Sequence, residues 1–357
     1  MDKHNKNPTG SDTRPVTILT GYLGAGKTTF LNSLMAANPD TRYAIIENEI
    51  GETGIDGQLI TRRPDDFIEL ENGCLCCSLN GSLYDAIEQM HRQRDGFDEL
   101  IIECTGLAMP GAVAEPFISH PVIKSVFPLK RMVCLVDAEI IEDQLEDRDE
   151  AMRQVTASDV IVINKTDLVH AGHVESLEQR LARLNPFAQV FVGQAGSFPM
   201  DRIGQVFYKP APMVFHVSPN PGKGDTDRTL GRHTGHHRHG DVSSQSFEIT
   251  EELDIVKLFL TLYSFFMVHG DTVYRMKGVL YERIPGKTKR TFVQSVGGRL
   301  GIEDGPPWGR EEVPSNRLVF IGKGLDDLDI ETMLHACLPQ QDKTASSLQK
   351  KETEAGI

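Results

Sequence analysis

The sequence predicts an α/β protein in which a mostly parallel, doubly wound sheet precedes a smaller α+β domain. In the first part of the chain, seven short apolar runs alternate with helical stretches, which is typical of a parallel sheet buried on both faces. A glycine-rich loop directly follows the first run. After about residue 210 the pattern changes to longer strands with hairpin-like spacing. A chain of 357 residues also exceeds one average core, so two domains are expected.

The apolar runs of the first domain are its predicted strands, and the stretches between them are its predicted helices. Strands are expected at 16–20, 43–47, 67–70, 99–104, 132–137, 160–164 and 189–192. Helices are expected near 27–37, 81–94, 150–157 and 173–184. In such a sheet the crossovers are right-handed and ligands bind at the carboxyl ends of the strands. The functional residues are therefore expected where these strands end.

Five segments are predicted along the chain. They are a disordered tail over 1–13, the doubly wound domain over 14–212, a Gly/Pro/His-rich linker over 213–245, the α+β domain over 246–339 and a disordered tail over 340–357. The linker offers almost no apolar residue to bury, which is typical of a long loop. The second domain is expected to hold a helix near 251–266, strands near 272–281, 289–298 and 316–322, and a helix near 326–337.

Charge and hydropathy narrow the classes of partner. The net charge is −14, so the chain has no overall basic field to attract nucleic acid. No apolar run approaches the roughly 20 residues needed to cross a bilayer, and the polar N-terminus lacks the apolar region of a signal peptide. We therefore expect a cytoplasmic protein with neither nucleic acid nor a membrane as partner.

The strongest motif is the glycine-rich loop. Residues 21–29 read GYLGAGKTT and match G-x-x-x-x-G-K-[ST] between a predicted strand and a predicted helix. Glycines let backbone N–H groups curl around a β-phosphate, and the helix N-terminus adds its positive dipole. Lys27 is expected to contact the β- and γ-phosphates, and the Thr28 hydroxyl is expected to bind Mg²⁺. The sequence therefore predicts a P-loop nucleotide site.

A second motif selects the base. Residues 164–167 read NKTD and close an apolar strand. The Asp167 carboxylate can accept hydrogen bonds from N1–H and the exocyclic amine of guanine, whereas adenine presents an acceptor at N1. GTP is therefore predicted rather than ATP, and the motif argues against a P-loop kinase.

A carboxylate that organises Mg²⁺ should close another central strand. Glu103 and Asp137 both lie at predicted strand ends. Glu103 is preferred because Gly106 follows three residues later, where its backbone N–H could meet the γ-phosphate. The alternative for either carboxylate is that it merely caps the following turn.

Three cysteines form the motif Cys74-x-Cys76-Cys77. Thiolates suit Zn²⁺ and similar late transition metals, and the cluster is poorly placed for mutual disulfides. Carboxylates in the loop after the second strand, Glu47, Glu49 and Glu52, are candidate partners. The alternatives are a redox sensor or a structural zinc site for the thiols, and a magnesium-shell role for the glutamates. Two further cysteines inside apolar strands, Cys104 and Cys134, are expected to be packed core thiols.

The linker carries the histidine cluster His233, His236, His237 and His239. Imidazoles this close can capture Zn, Ni or Co ions. A solvated loop with incidental metal affinity is an equal alternative.

The motifs GYLGAGKTT, IENEIGETGIDGQLI, ENGCLCCS, LIIECTGLAMPGA and NKTD, in this order, resemble those of the CobW-type metallochaperone GTPases. These are relatives of the hydrogenase and urease nickel-insertion GTPases, and the sequence is most similar to the YjiA-like branch. The stretches GDTVYRMKGVLYE and RLVFIGKGLD resemble the family's C-terminal domain, so the resemblance covers nearly the whole chain. It implies a parallel GTPase domain, a smaller α+β domain and slow, metal-modulated hydrolysis of GTP.

The resemblance and the motifs together define the predicted site. The predicted nucleotide contacts are Gly24, Ala25, Gly26, Lys27, Thr28, Thr29, Gly106, Asn164, Lys165 and Asp167, with Lys27, Thr28 and Glu103 as the catalytic group. The metal ligands of relatives map onto Glu47, Glu52, Cys74, Cys76 and Cys77.

The predicted function is a slowly hydrolysing GTPase that binds a transition metal and transfers it to a client metalloprotein. GTP, Mg²⁺ and Zn²⁺ are the expected cofactors, with Co²⁺ and Ni²⁺ as alternatives to zinc. The alternative is a signalling or assembly GTPase whose cysteines form a structural or redox-sensing site. The sequence leaves open whether the chain forms a homo-oligomer.

Overall fold

The computed structural model describes residues 13–47, 69–71, 79–207, 233–234, 242–284, 287–310 and 312–339. Within these residues the chain builds two β-sheets with helices packed on them. No helix of the described segments is long and apolar enough to cross a membrane.

The first sheet is parallel throughout and has seven strands in the order β3-β2-β4-β1-β5-β6-β7. The strands are β1 Val16–Gly21, β2 Tyr43–Glu47, β3 Glu69–Glu71, β4 Glu99–Glu103, β5 Leu129–Asp137, β6 Val160–Asn164 and β7 Gln189–Val192. Each predicted strand of this domain is present. The order reverses at the centre of the sheet, where β1 lies between β4 and β5, and there the predicted P-loop follows β1.

Both faces of this sheet are apolar, which is why its strands read as continuous apolar runs. Leu19, Ile101 and Val133 pack on one side with Phe30 and Leu31 of the first helix. Alternate residues of the same strands pack on the opposite side. The helices are α1 Lys27–Ala37, α2 Leu79–Arg92, α3 Pro110–Ser119, α4 Pro121–Val126, α5 Ile141–Asp147, α6 Asp149–Ala157, α7 Ala171–Leu184 and α8 Met200–Gly204.

The second sheet is antiparallel and has the order β12-β11-β10-β13-β9-β8. Its strands are β8 His233–Thr234, β9 Val242–Ile249, β10 Val273–Ile284, β11 Lys287–Val296, β12 Arg299–Asp304 and β13 Asn316–Lys323. Helices α9 Ile255–His269 and α10 Ile330–His335 pack with it around one apolar core. This arrangement confirms the predicted α/β domain followed by an α+β domain.

Several elements differ from the prediction. Strand β9 begins at Val242, inside the range 213–245 assigned to the linker, and strand β12 was not predicted. Helix α9 begins at Ile255 rather than near 251, because the Asp254 carboxylate caps it by accepting the Lys257 N–H at 2.9 Å. The helix expected over 326–337 is a short 3₁₀ turn followed by α10. The remaining domain boundaries stay predictions, and most of both predicted tails lies outside the described residues.

A buried ion cluster joins the two units. The Asp159 carboxylate accepts hydrogen bonds from Arg275 at 2.6 Å and from Lys277 at 3.0 Å, and these side chains are almost completely buried. Burial alone raises the pKa of Asp159, but the charges of Lys277 and Arg275 outweigh it and lower the pKa below the ordinary value. Burial lowers the pKa of Lys277 to about 8 despite the attraction of Asp159. The second unit therefore contacts the first through a buried ion cluster, in which removal of either partner would leave the other charge buried and unpaired.

Helices α3 and α6 of the first domain make further contacts with the second unit. On α3, the Glu115 carboxylate accepts a hydrogen bond from Arg299 of β12 at 3.1 Å. On α6, Asp149 accepts hydrogen bonds from Tyr274 at 2.5 Å and from Lys323 at 2.6 Å. Helices α3 and α6 therefore contact the second sheet directly.

Candidate functional site

The P-loop leaves β1 through glycines in conformations that other residues rarely adopt. Gly21, Gly24 and Gly26 have φ values of 141°, 77° and 102°, and helix α1 begins at Lys27 with no side chain capping its N-terminus. Left-handed backbone of this kind turns successive N–H groups toward one centre. The uncapped helix end and the turned backbone together suit a phosphate.

Lys27 lies over this loop. Its ammonium donates to the carbonyl of Gly21 at 3.0 Å and contacts the carbonyl of Tyr22 at 3.5 Å. Thr28 and Thr29 follow it in the first turn of α1. The charge and both hydroxyls therefore occupy the end of α1 where the predicted phosphates would lie.

Asn164 links the two predicted nucleotide motifs. It is buried at the end of β6, and its amide donates to the Ala25 carbonyl at 3.0 Å. A side chain on Gly26 would come within 2.3 Å of that amide nitrogen. The first residue of NKTD therefore holds the P-loop backbone, and Gly26 is required by this contact as well as by its φ.

The remaining residues of NKTD form a turn beside the P-loop. Lys165 adopts a φ of 59°, and its ammonium donates to the Asp137 carboxylate at 2.6 Å. The Asp167 carboxylate accepts the Ala195 N–H at 3.3 Å and is exposed. Asp137, the alternative Mg²⁺ candidate, thus pairs with Lys165 and caps the N–H of Glu139 at 3.0 Å. That arrangement favours Glu103 for the Mg²⁺ role, which stays a prediction.

Glu103 closes β4 beside the P-loop strand, in register with Leu19 of β1. Gly106, three residues later, lies so close to the P-loop that an added side chain would meet the Leu23 nitrogen at 2.6 Å. The loop that carries Glu103 and Gly106 is therefore in backbone contact with the loop that carries Lys27.

Gln154 of α6 positions this loop and was not predicted. It is 1% exposed, and its amide donates to the carbonyls of Gly106 at 3.0 Å and Ala108 at 3.3 Å. The signal that could have revealed it is a glutamine among the apolar positions of an amphipathic helix, next to Val155 and close to Met152. A buried amide needs partners, so Gln154 holds the loop in place.

The predicted metal ligands fall mostly on residues that are not described. Cys74, Cys76, Cys77 and Glu52, together with Glu49, lie outside the described residues, and Glu47 is described only as the last residue of β2. In the parallel register, Glu47 pairs with Glu103 on one side and with Glu71 on the other. Strand β3 ends at Glu71 and α2 begins at Leu79, so the cysteine motif connects these two elements. Among the described residues no group of three or more His, Cys, Asp or Glu has metal-binding geometry.

The cysteines outside the motif are core residues. Cys104 and Cys134 are fully buried, and burial raises the pKa of each thiol to about 12. The prediction of packed core thiols is confirmed for both. Cys337 is also buried, and its sulfur contacts the Met333 carbonyl at 3.4 Å.

The histidine cluster is described in part. His233 lies in the short strand β8, in register with Ser246 of β9, whereas His236, His237 and His239 lie outside the described residues. Metal capture by this cluster stays a prediction.

Comparison with known proteins identifies relatives of both units. Residues 15–192 match the family model described as CobW/HypB/UreG, nucleotide-binding domain, and residues 242–338 match the model described as Cobalamin synthesis protein cobW C-terminal domain. The zinc chaperone YjiA of Escherichia coli is 34% identical over 320 residues, covering 88% of this chain and 96% of the relative. The zinc chaperone CobW of Pseudomonas aeruginosa is 28% identical over 357 residues, covering 91% of each chain. The crystal structure of Zn(II)-bound YjiA GTPase from E. coli superposes with a TM-score of 0.61 at 29% identity, covering 92% of this chain and 99% of that one.

Proposed function

The chain belongs to the CobW/HypB/UreG family, and from its site we propose that it takes up zinc in the GTP-bound state and releases it to a client protein after hydrolysis. It is a metallochaperone GTPase that converts GTP and water into GDP and phosphate, with GTP, Mg²⁺ and zinc as its ligands. The observation that carries the proposal is the register of β2 and β4, which places Glu47 opposite Glu103. A predicted zinc ligand and the predicted Mg²⁺ ligand therefore lie side by side on paired strands. We place delivery to the client in the cytoplasm.

The P-loop and the NKTD turn would divide the nucleotide between them. Lys27 and the N–H groups of the loop would hold the β- and γ-phosphates, while Asp167 would accept the two guanine donors. Asn164 supports this division because it ties the base-reading turn to the phosphate-binding backbone.

The oxygen donors of Thr28 and Glu103 fit Mg²⁺, which prefers hydroxyl and carboxylate ligands. When bound, this ion neutralises charge on the phosphates of GTP. Catalysis by the chain's own groups would rest on the Lys27 charge and on the Gly106 N–H, which Gln154 positions. No side chain of the described residues is assigned as a general base.

Release of zinc would follow from loss of the γ-phosphate. Cys74, Cys76 and Cys77 would bind the ion with Glu47 and Glu52, since thiolates are ligands that zinc favours. Glu47 lies in register with Glu103 on the adjacent strand, so a rearrangement at the end of β4 would reach the predicted metal ligand Glu47 directly. Metal affinity and nucleotide state would then be linked reciprocally.

The test is a zinc titration of reduced, metal-free protein in the presence of a non-hydrolysable GTP analogue or of GDP. We expect tighter zinc binding with the GTP analogue, weakened by Cys76→Ser and unchanged by Cys337→Ser, which alters a thiol outside the motif. Equal zinc affinity in the two nucleotide states would contradict the coupling.

The same variants separate delivery from a structural zinc site. If Cys76→Ser lowers the folding stability of the whole protein as well as its zinc content, the cysteines serve a structural role. A stable Cys76→Ser protein with a normal rate of GTP hydrolysis and weak zinc binding supports the chaperone function.

A further inference from the structure

Helix α9 is apolar on the face that points away from its own core. One face is buried against the second sheet through Leu258, Leu262 and Phe266. On the opposite face, Val256 is 72% exposed, Leu260 60%, Tyr263 56% and Met267 72%. Large apolar side chains exposed together on one helix are unusual in a monomer and mark an interaction surface.

These four residues follow a heptad pattern. They occur at i, i+4, i+7 and i+11, so they line one stripe of the helix. Val256 and Tyr263 are seven residues apart, as are Leu260 and Met267, which is the alternation of the a and d positions of a coiled coil. We call these four residues the α9 seam. It contains no charged side chain, so its occupant should be an apolar helix of similar length.

We propose that the α9 seam is the contact between two copies of this chain, with the two α9 helices packed antiparallel. A two-fold axis between residues 261 and 262 would place Val256 opposite Met267 and Leu260 opposite Tyr263 of the second copy. Each pair joins a smaller side chain with a larger one, and the seam maps onto itself under the rotation. Such self-complementarity is what an isologous interface requires, and a surface for an unrelated partner has no need of it.

Two further features favour the antiparallel pair. Antiparallel packing places the positive end of each helix dipole beside the negative end of its neighbour. In addition, Leu258, Leu262 and Phe266 already hold α9 on its own sheet, so little conformational entropy is lost when the helices meet.

The size of the seam sets the expected strength. With the flanking Phe259, the exposed apolar side chains amount to about 500 Å² per chain, which places the pair near the lower limit of specific interfaces. We therefore expect a reversible dimer that dissociates at micromolar concentrations rather than a permanent one.

The experiment is sedimentation velocity of the full-length protein over a range of concentrations. Leu260→Lys and Tyr263→Glu each place an unpaired charge in the seam, and each is expected to weaken dimerisation by roughly tenfold or more. An equimolar mixture of the two variants is expected to dimerise again, because antiparallel packing brings the new ammonium opposite the new carboxylate and leaves a native Leu–Tyr pair at the symmetric position. The control is Val313→Lys, which alters a residue that is 77% exposed in the same unit but outside the seam.

Each outcome decides the proposal. A concentration-dependent wild-type dimer, lost in both single variants and restored in their mixture, supports it. A wild-type protein that stays monomeric up to about 100 μM overturns it and leaves the seam for a client or another protein. A dimer that neither variant weakens lies on another face, and a dimer that the mixture does not restore is not antiparallel in this register. Circular dichroism and the rate of GTP hydrolysis should stay unchanged in each variant, because these side chains are exposed and contact no nucleotide residue.

Discussion

Replacing Gln154 with leucine should weaken the binding of GTP while leaving the binding of GDP nearly unchanged. The buried amide donates to the Gly106 and Ala108 carbonyls, and Gly106 lies against the P-loop. Leucine has a similar volume but no donor, so two buried carbonyls lose a partner. Only a nucleotide with a γ-phosphate should depend on the position of the Gly106 N–H.

The magnitude follows from the two hydrogen bonds. Each is worth about 1 kcal/mol net, so Gln154→Leu should lower the free energy of unfolding by about 2 kcal/mol. If the released loop must be reordered when GTP binds, most of that ~2 kcal/mol is subtracted from the binding free energy of GTP. The affinity for GTP should then fall roughly tenfold or more. GDP affinity should change by less than about twofold, since Gly106 is predicted to contact the γ-phosphate, which GDP lacks.

The assay is a titration with fluorescent GDP and with a fluorescent non-hydrolysable GTP analogue, combined with urea unfolding. Gln89→Leu is the matched control, because it makes the same change at an exposed position of α2. Equal losses for both nucleotides would show that Gln154 acts through the fold in general. An unchanged affinity for the GTP analogue alongside lower stability would refute its role in positioning the γ-phosphate loop.

Three other substitutions test the base, the P-loop and the junction of the two units. Asp167→Ala should lower the affinity for GTP by about a hundredfold and leave the weak affinity for ATP unchanged, as measured by competition; a parallel loss of ATP binding would contradict its role in reading guanine. Gly26→Ala should lower the affinity for GTP and GDP alike by about tenfold or more, because its φ is 102° and its new side chain would meet Asn164; normal nucleotide titrations would contradict this geometry. Burial lowers the pKa of Lys277 from 10.5 to about 8, so at this group the native state binds fewer protons than the unfolded state between these values, and the contribution of Lys277 to wild-type stability should rise with pH across them. Lys277→Met should lack that contribution, so the stability of the wild type relative to Lys277→Met in urea unfolding should rise between about pH 8 and 10.5, and pH profiles of the same shape for the two proteins would contradict the assignment.

The sheet of the first domain could be predicted because its strands are buried on both faces. Runs such as 160–164 are wholly apolar up to their last residue, and few structures other than a strand buried on both faces fit this pattern. Helices α3 and α4 were missed because they are short and each begins at a proline, Pro110 or Pro121, which reads as a turn in an isolated sequence. Strand β9 was missed because its half-buried positions are serines, so it resembles the polar linker before it.

The candidate site could likewise be predicted from the sequence only in part. Lys27, Asn164 and Asp167 could be named because their motifs are local in sequence. Gln154 could not, since its partner Gly106 lies 48 residues earlier and nothing in the local pattern connects them. The pairing of Lys165 with Asp137, 28 residues earlier, likewise depends on two strands lying side by side.

The ion cluster at the junction also has a consequence for biosynthesis. Asp159 belongs to the part of the chain that is made first, whereas Arg275 and Lys277 follow 116 and 118 residues later. At typical ribosomal rates they emerge on the order of ten seconds after Asp159. During that interval the newly made first domain displays a hydrated carboxylate where its neighbour will later dock. The surface around Asp159 therefore stays hydrated and resists aggregation until the second unit is synthesised and its Arg275 and Lys277 neutralise the carboxylate.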